Sequence, residues 1–81
     1  MTLAKSIALE YAGTGVTANA VAPALIDTEM VAGLPDFSSQ IPVGRLGQPQ
    51  DVADVVSFLC SAHAGYITGE VVDVNGGFLI D

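Results

Sequence analysis

The sequence predicts an α/β fold built on parallel strands, and three observations support this prediction. The predicted elements follow the order helix, strand, long loop, helix, strand, which is typical of parallel α/β sheets. Both strand segments are rich in small and β-branched residues without strict polar alternation, as in strands covered on both faces. Finally, 51% of the 81 residues are apolar and only 14% are charged, which is more apolar surface than so short a chain can bury alone.

The first predicted element is a helix over residues 2 to 11, TLAKSIALEY. Leu3, Ile7 and Tyr11 recur four residues apart, which is helical spacing, and Thr2 is a candidate N-cap. Two glycines shortly after Tyr11 supply a stop signal. Because nothing before Thr2 sets the entry of the chain, we expect this segment to be the tail of a longer helix.

A strand and a long loop follow. Residues 16 to 26, VTANAVAPALI, predict a strand, and Pro23 is expected to end it because proline has no N–H to donate to a sheet ladder. From Asp27 to Gly47 the glycines and prolines predict a loop, with one helical turn around Thr28 to Ala32. A connection of this length is usually functional or mobile.

The clearest helix lies within residues 47 to 61, GQPQDVADVVSFLCS. Pro49 suits its first turn, and Asp51 suits the positive end of the helix dipole. Five apolar residues at helical spacing are expected to face the sheet: Val52, Val55, Val56, Leu59 and Cys60. The last strand is predicted at Val71 to Val74, before an Asn75-Gly76-Gly77 turn.

Composition excludes several classes of function. One cysteine forms no internal disulfide, so Cys60 is predicted to be a small buried hydrophobe, and with only His63 nearby no metal site is predicted. Nine acidic residues against two basic ones give a net charge of −7, which repels a phosphate backbone, so no nucleic-acid partner is expected. No apolar stretch approaches the ~20 residues of a membrane-spanning helix, and no signal peptide is recognisable. The sequence therefore predicts a cytoplasmic protein with no membrane partner.

Three blocks, in this order and spacing, resemble the C-terminal portion of a short-chain dehydrogenase/reductase (SDR): NAVAPALIDTEM, IPVGRLGQPQDVADVVSFLCS and YITGEVVDVNGG. Within that superfamily they are most similar to 3-oxoacyl-acyl-carrier-protein reductases and their close relatives. The resemblance implies that residues 1 to 81 are an incomplete C-terminal segment of one Rossmann-like domain with a doubly wound parallel sheet. It also implies NAD(P)(H) as cofactor, a small-molecule or acyl-carrier-bound ketone as substrate, and a homotetramer.

The resemblance further implies which residues bind the cofactor. Asn19 and Pro23 match the family's Asn-x-Val-x-Pro-Gly stretch beside the nicotinamide, and Ala24 stands where the family usually has glycine. Ile26 and Thr28 match positions that hold the nicotinamide carboxamide through backbone and hydroxyl hydrogen bonds. If position 24 needs a positive φ, alanine there adds strain of ~1 kcal/mol. From the residues alone, a proline turn with Thr28 capping the next helical turn is the competing interpretation.

The loop over residues 29 to 47 resembles the family's variable substrate lid. The resemblance implies apolar substrate contacts from Met30, Leu34, Phe37 and Ile41, and the alternative is an ordinary surface loop with a few anchors. Arg45, within this loop, is expected to bond loop carbonyls or a carboxylate rather than to take part in catalysis.

Two SDR signatures do not occur in the 81 residues: a Gly-rich turn and a Tyr-x-x-x-Lys pair. Tyr11 is followed four residues later by Gly15, and Tyr66 by Glu70, so no catalytic residue is assigned. By alignment, the family's lysine would lie just before Met1. We therefore expect the chain to be a fragment that is inactive alone, although its parent is an NAD(P)(H)-dependent oxidoreductase. The alternative function is a non-enzymatic oligomerisation or interaction module derived from an SDR, and a chain without a unique fold is a further alternative.

Overall fold

The structure, a computed structural model, describes residues 2–27 and 38–78. Four main elements follow the predicted order: helix α1 (Leu3–Tyr11), strand β1 (Ala20–Pro23), helix α2 (Pro49–Leu59) and strand β2 (Val71–Val74). Short 3-10 turns lie at Ser38–Gln40 and Ala62–Ala64. The helical turn predicted at residues 28–32 falls outside the described residues. The α/β class is confirmed.

Strands β1 and β2 pair in parallel, with Ala20 opposite Val71 and Pro23 opposite Val74. The parallel arrangement and the end of the strand at Pro23 are as predicted. The strand predicted over residues 16 to 26 is too long, because β2 offers only four residues to pair with. The residues just before Ala20 bond instead to the loop that precedes β2.

Helix α1 begins and ends where the sequence predicts. The Lys5 N–H donates to Thr2 Oγ1 over 3.2 Å, which is the expected N-cap. After Tyr11 the chain turns through Gly13 at φ +85°, a left-handed conformation that glycine adopts without strain. Within this helix only Ala8 is buried, so α1 contributes little to the core.

Helix α2 covers β1 only in part. Val56 and Leu59 line a groove with Val21 of β1, yet Val56 remains 45% exposed. Cys60 is exposed as well, so the prediction that it is buried is wrong, and the apolar stripe faces the sheet along one side only. The physical reason is the width of the sheet: in the described part of the chain it has two strands, which cannot cover a full helix face.

The core is small, as the length of the chain leads one to expect. Among the described residues, three apolar side chains are buried: Ala8, Ile41 and Ala64. Several large apolar side chains are exposed, among them Leu3, Leu9, Val43, Phe58 and Tyr66. The excess of apolar surface inferred from composition is therefore present in the fold. None of the described helices has the length and apolar character needed to cross a membrane.

Asn19, immediately before β1, braces the loop that leads into β2. Its Nδ2 donates to the Ile67 carbonyl over 3.2 Å, and its Oδ1 accepts from the Glu70 N–H over 3.0 Å. These two bonds join segments about fifty residues apart in sequence. They fix the position of β2 relative to β1.

Replacing Asn19 with alanine is expected to lower the free energy of unfolding by about 1–3 kcal/mol, because the part-buried Ile67 carbonyl loses its donor and the exposed Glu70 N–H loses its acceptor. Urea unfolding measures the change. Gln50→Ala is the control, since it removes an exposed side-chain bond to Asp54 and should change stability by less than about 0.5 kcal/mol. Equal midpoints for Asn19→Ala and the unmodified chain would contradict the bracing role.

Candidate functional site

The carboxyl ends of β1 and β2 lie side by side and form the candidate site. Pro23 is the last residue of β1, and the Ala24 N–H continues the ladder by donating to the Val74 carbonyl over 3.1 Å. Ile26 follows two residues later. Ligands of open α/β sheets bind at this edge, and three of the residues predicted to bind cofactor, Pro23, Ala24 and Ile26, come together here.

The other predicted site residues are not part of this group. Asn19 lies at the opposite end of β1, and its side-chain amide is engaged by the loop before β2. Its cofactor role stays a prediction. Four further residues fall outside the described ranges, and their roles likewise stay predictions: Thr28, Met30, Leu34 and Phe37.

The chain turns sharply just after Ala24. Leu25 has φ +56°, and among the described non-glycine residues it is the one with a positive φ. The strain considered for Ala24 therefore falls one residue later, because Ala24 still belongs to the ladder with β2. A left-handed non-glycine residue costs about 1–2 kcal/mol, and such residues concentrate at functional sites.

Beyond the turn, Ile26 pairs with Gly47 in an isolated parallel bridge. The Gly47 N–H donates to the Leu25 carbonyl over 3.0 Å, and the Asp27 N–H donates to the Gly47 carbonyl over 2.7 Å. In this bonding pattern the N–H and C=O of Ile26 itself point away from Gly47. Across residues 2–27 and 38–78 neither group has a hydrogen-bond partner. Within the described part of the chain, Ile26 thus has one unpaired backbone donor and one unpaired backbone acceptor.

A cleft of about 470 Å³ lies next to this edge. Apolar side chains from the loop, α2 and β2 form its walls: Ile41, Val43, Val55, Val72 and Val74. Arg45, Asp51 and Asn75 supply polar groups. The cleft is therefore apolar with a few polar side chains, which is the usual character of a small-molecule site.

Ile41, one of the predicted lid residues, is only 3% exposed. A Cβ placed on Gly76 would lie 2.8 Å from Ile41 Cγ2, so the two residues are in tight contact. The Val43 N–H also donates to the Gly76 carbonyl over 3.0 Å. Ile41 thus anchors the end of the loop on the turn after β2, and its predicted substrate contact stays a prediction.

Arg45 binds a carboxylate and a loop carbonyl, as predicted. Its Nη1 and Nη2 donate to the two carboxylate oxygens of Asp51 over 2.8 and 3.3 Å, and Nη1 also donates to the Leu46 carbonyl over 3.0 Å. The Arg45 hydrogen bond, and then the Gln48 N–H donated to the same carboxylate, hold the pKa of Asp51 below its usual value. The same bond raises the pKa of Arg45.

The lowered pKa of Asp51 predicts an acid-sensitive contribution to stability. Because the folded pKa lies below the unfolded one, this contribution is complete above the usual carboxyl pKa of about 4 and is lost as pH falls through the lowered value. Unfolding of the unmodified chain and of Asp51→Asn should therefore differ at pH 6 and converge on acidification. A difference that stays constant down to pH 2 would contradict the assignment.

Gly47 is a site residue that the sequence pattern marks only as a break in a loop. A Cβ on Gly47 would lie 2.7 Å from Ile26 Cδ1 and 3.8 Å from Asp51 Oδ2. Its position directly before the N-cap of α2 is the available sequence signal, because a residue there can bond to a neighbouring segment without belonging to the helix. Its pairing with Ile26 depends on contact between distant segments and is not visible in the sequence.

The sequence matches a family model and individual proteins that are described as reductases. A family model described as enoyl-(acyl carrier protein) reductase matches residues 1–79. The 3-oxoacyl-[acyl-carrier-protein] reductase of Aquifex aeolicus is 54% identical over 78 residues, which cover 90% of this chain and 32% of that protein. The acetoacetyl-CoA reductase of Shinella zoogloeoides is 47% identical over 79 residues, which cover 90% of this chain and 33% of that protein.

A solved structure shares the fold. A protein of Escherichia coli str. K-12 described as an oxidoreductase matches with a TM-score of 0.78 and 41% sequence identity, covering 94% of this chain and 29% of that one. The chain spans about a third of the length of the curated relatives it matches.

Proposed function

The chain belongs to the short-chain dehydrogenase/reductase family, and we propose that it forms the nicotinamide edge of an NAD(P)(H)-dependent oxidoreductase. The proposed reaction is reduction of a ketone or 3-oxoacyl group, or oxidation of the corresponding alcohol. One observation carries the proposal: beyond the carboxyl ends of two parallel strands, the backbone N–H and C=O of Ile26 have no hydrogen-bond partner among residues 2–27 and 38–78. Relatives named as 3-oxoacyl and acetoacetyl-CoA reductases support the class of substrate.

The chemistry of this edge fits a nicotinamide. A carboxamide carries two N–H donors and one carbonyl acceptor, which match the backbone C=O and N–H of Ile26. We propose that the Thr28 hydroxyl adds a further bond. When bound, the cofactor supplies or accepts a hydride. The 81 residues hold the carboxamide in one orientation, which is a contribution of positioning.

Pro23 and the cleft residues shape the surroundings of that edge. Pro23 has no N–H, so the end of β1 adds apolar contact without a donor that competes with Ile26. Ile41 fixes the end of the loop on Gly76, and we propose that Met30, Leu34 and Phe37 in the same loop contact substrate and exclude water. No residue of the chain is assigned as proton donor, because no tyrosine in it has a lysine four residues on.

Partners and location follow the same proposal. The substrate is a small-molecule or acyl-carrier-bound ketone, and the assembly is a homotetramer in the cytoplasm. Exposed apolar side chains on the two helices support contacts between copies, since Leu9 is 68% and Phe58 is 48% exposed. Exposed apolar side chains of this size are costly to leave in water.

Titration of the 81-residue chain with NADPH and NADH, followed by amide chemical shifts, tests the proposed cofactor role. The Ile26 amide should shift on saturation. Thr28→Val should weaken binding about 2- to 10-fold, because it removes one hydroxyl hydrogen bond and keeps the shape of the side chain. Thr14→Val is the control, since among the described residues the Thr14 hydroxyl bonds to Tyr11 alone, near the end of α1. Equal affinities for the two variants would overturn the role of Thr28, and an unshifted Ile26 amide would overturn the site.

A non-enzymatic interaction module is the second candidate function, and the exposed apolar residues favour it. Light scattering during the same titration measures the oligomeric state and distinguishes the interaction module from the oxidoreductase. A stable assembly that binds neither nucleotide would support the interaction module. Saturable nucleotide binding would support the oxidoreductase.

A further inference from the structure

We propose that an ionic cluster at the start of α2, formed by Arg45, Gln48 and Asp51, positions the backbone of Ile26 and so sets the geometry of the cofactor edge. This inference rests on the function proposed above, and it assigns the three residues a positioning role rather than a catalytic one. They act on Ile26 through Gly47, which lies between the cluster and the edge.

The cluster is held together by Asp51. Its carboxylate accepts two bonds from the Arg45 guanidinium and one from the Gln48 N–H, the last over 2.7 Å. Gln48 is the N-cap of α2, and the bond from its N–H to the Asp51 carboxylate is one half of a capping box. Arg45 simultaneously donates to the Leu46 carbonyl. The peptide segment on both sides of Gly47 is therefore tied to the first turn of α2.

Two contacts connect this cluster to the cofactor edge. The Gln48 Nε2 donates to Asp27 Oδ2 over 3.4 Å, and Gly47 exchanges hydrogen bonds with Leu25 and Asp27. Ile26 lies between Leu25 and Asp27, so its backbone is fixed on both sides by residues attached to α2.

Packing at Gly47 makes this connection tight. The space that a Cβ would occupy on Gly47 is filled by Ile26 Cδ1, with Asp51 Oδ2 only 3.8 Å from the same point. A shift of Gly47 therefore moves Ile26, since the Ile26 side chain contacts Gly47 and the residues on both sides of Ile26 bond to it.

Because the Arg45–Asp51 ion pair is exposed, we expect it to orient the neighbouring backbone more than it stabilises the fold. The side chains of Arg45 and Asp51 are 56% and 34% exposed, and pairs in water at such sites contribute little to the free energy of unfolding. Two parallel N–H···O bonds between a guanidinium and a carboxylate nevertheless specify direction. Loss of the pair should therefore loosen the backbone around Gly47 and leave the pairing of β1 with β2 intact.

Hydrogen exchange in the 81-residue chain tests this inference with three amides. Arg45→Gln and Asp51→Asn should each speed exchange of the Gly47 and Asp27 amides on the order of tenfold, because their bonds are those that the cluster holds in place. The Ala24 amide, bonded to Val74 in the sheet ladder, should exchange at an unchanged rate.

Two further variants distinguish positioning from a general effect of charge. Asp54→Asn removes a carboxylate from the same helix, whose hydrogen bond within the described residues is to Gln50. This variant should leave the exchange rates of all three amides unchanged. Asp51→Glu should restore slow exchange, since glutamate serves at this capping position. Unchanged exchange of the Gly47 and Asp27 amides in both Arg45→Gln and Asp51→Asn would overturn the inference. It would also be overturned if the Ala24 amide accelerated as much as these two amides, or if Asp54→Asn accelerated them equally.

Nucleotide titration of the same variants separates this inference from the proposed function. If the unmodified chain binds NADPH, Arg45→Gln should weaken binding while the urea midpoint changes only slightly, because the ion pair is exposed. Faster exchange at Gly47 in a chain that binds no nucleotide would support the positioning of Ile26 and contradict the cofactor role. Normal nucleotide affinity in Arg45→Gln would support the cofactor role and overturn the positioning role.

Discussion

Replacement of Gly76 by alanine is expected to lower the free energy of unfolding by about 2–4 kcal/mol. Gly76 has φ +60°, and an added Cβ would lie 2.8 Å from Ile41 Cγ2 and 3.5 Å from Val43 Cβ. Ile41 is buried and β-branched, so its Cγ2 cannot move aside by a simple rotation. The turn after β2 and the end of the loop should separate.

Gly44→Ala is the matched control for this substitution. Gly44 also has a positive φ, +93°, but no atom of the described residues lies within 4 Å of an added Cβ. Its alanine variant therefore reports backbone strain alone. Urea unfolding of the two variants should show a larger loss for Gly76→Ala, although its φ is closer to the left-handed region that alanine tolerates. A loss no larger than that of Gly44→Ala would contradict the packing of Ile41 on Gly76.

The 81-residue chain alone is expected to give no measurable oxidation of NADPH or NADH with a 3-oxoacyl substrate. The carbonyl oxygen of the substrate needs a proton when hydride arrives. A tyrosine at its ordinary pKa of about 10 is a poor donor without a neighbouring cation. Tyr11 and Tyr66 are followed four residues later by glycine and glutamate, so neither has a lysine one helical turn away.

The activity assay needs a positive control of the same family. A full-length 3-oxoacyl-[acyl-carrier-protein] reductase, measured in parallel, establishes that substrate and cofactor are competent. Turnover by the 81-residue chain above the no-protein blank would show that it holds a proton donor outside the family's motif.

Local signals predicted much of the fold. Thr2 as N-cap, Pro23 as the end of a strand and Pro49 in the first turn of a helix are local preferences, and each is confirmed. Parallel pairing followed from the order of the elements and from the non-alternating strand residues. These features depend on a few consecutive residues, so the sequence contains them directly.

Features that depend on contacts between distant segments were harder to predict from the sequence. The strand over residues 16 to 26 shortened to Ala20–Pro23 because its length is limited by β2. Cys60 is exposed because the described sheet is too narrow to cover its side of α2. The positive φ lies at Leu25, and not at Ala24, because Ala24 still bonds to Val74.

The position of the candidate site comes from the family motif and stays a prediction, whereas the contacts that build the edge could not be predicted from the sequence. The family motif predicts an edge from Pro23 to Thr28, whereas the pairing of Ile26 with Gly47 requires the loop to return to the same edge. Arg45 was expected to bind a carboxylate, but the sequence did not identify Asp51 as its partner. The link from this ion pair through Gly47 to Ile26 depends on how distant segments pack, so the sequence alone does not show it.

The most direct test of the cofactor edge is a measurement of nuclear Overhauser effects between the nicotinamide ring protons of NADPH and the amides of the isotope-labelled 81-residue chain. The account predicts effects at Ala24 and Ile26, and none at Glu70, which lies near the opposite end of the sheet beside Asn19. Nicotinamide contacts at Glu70 or on α1, with none at Ile26 under saturating NADPH, would contradict the account.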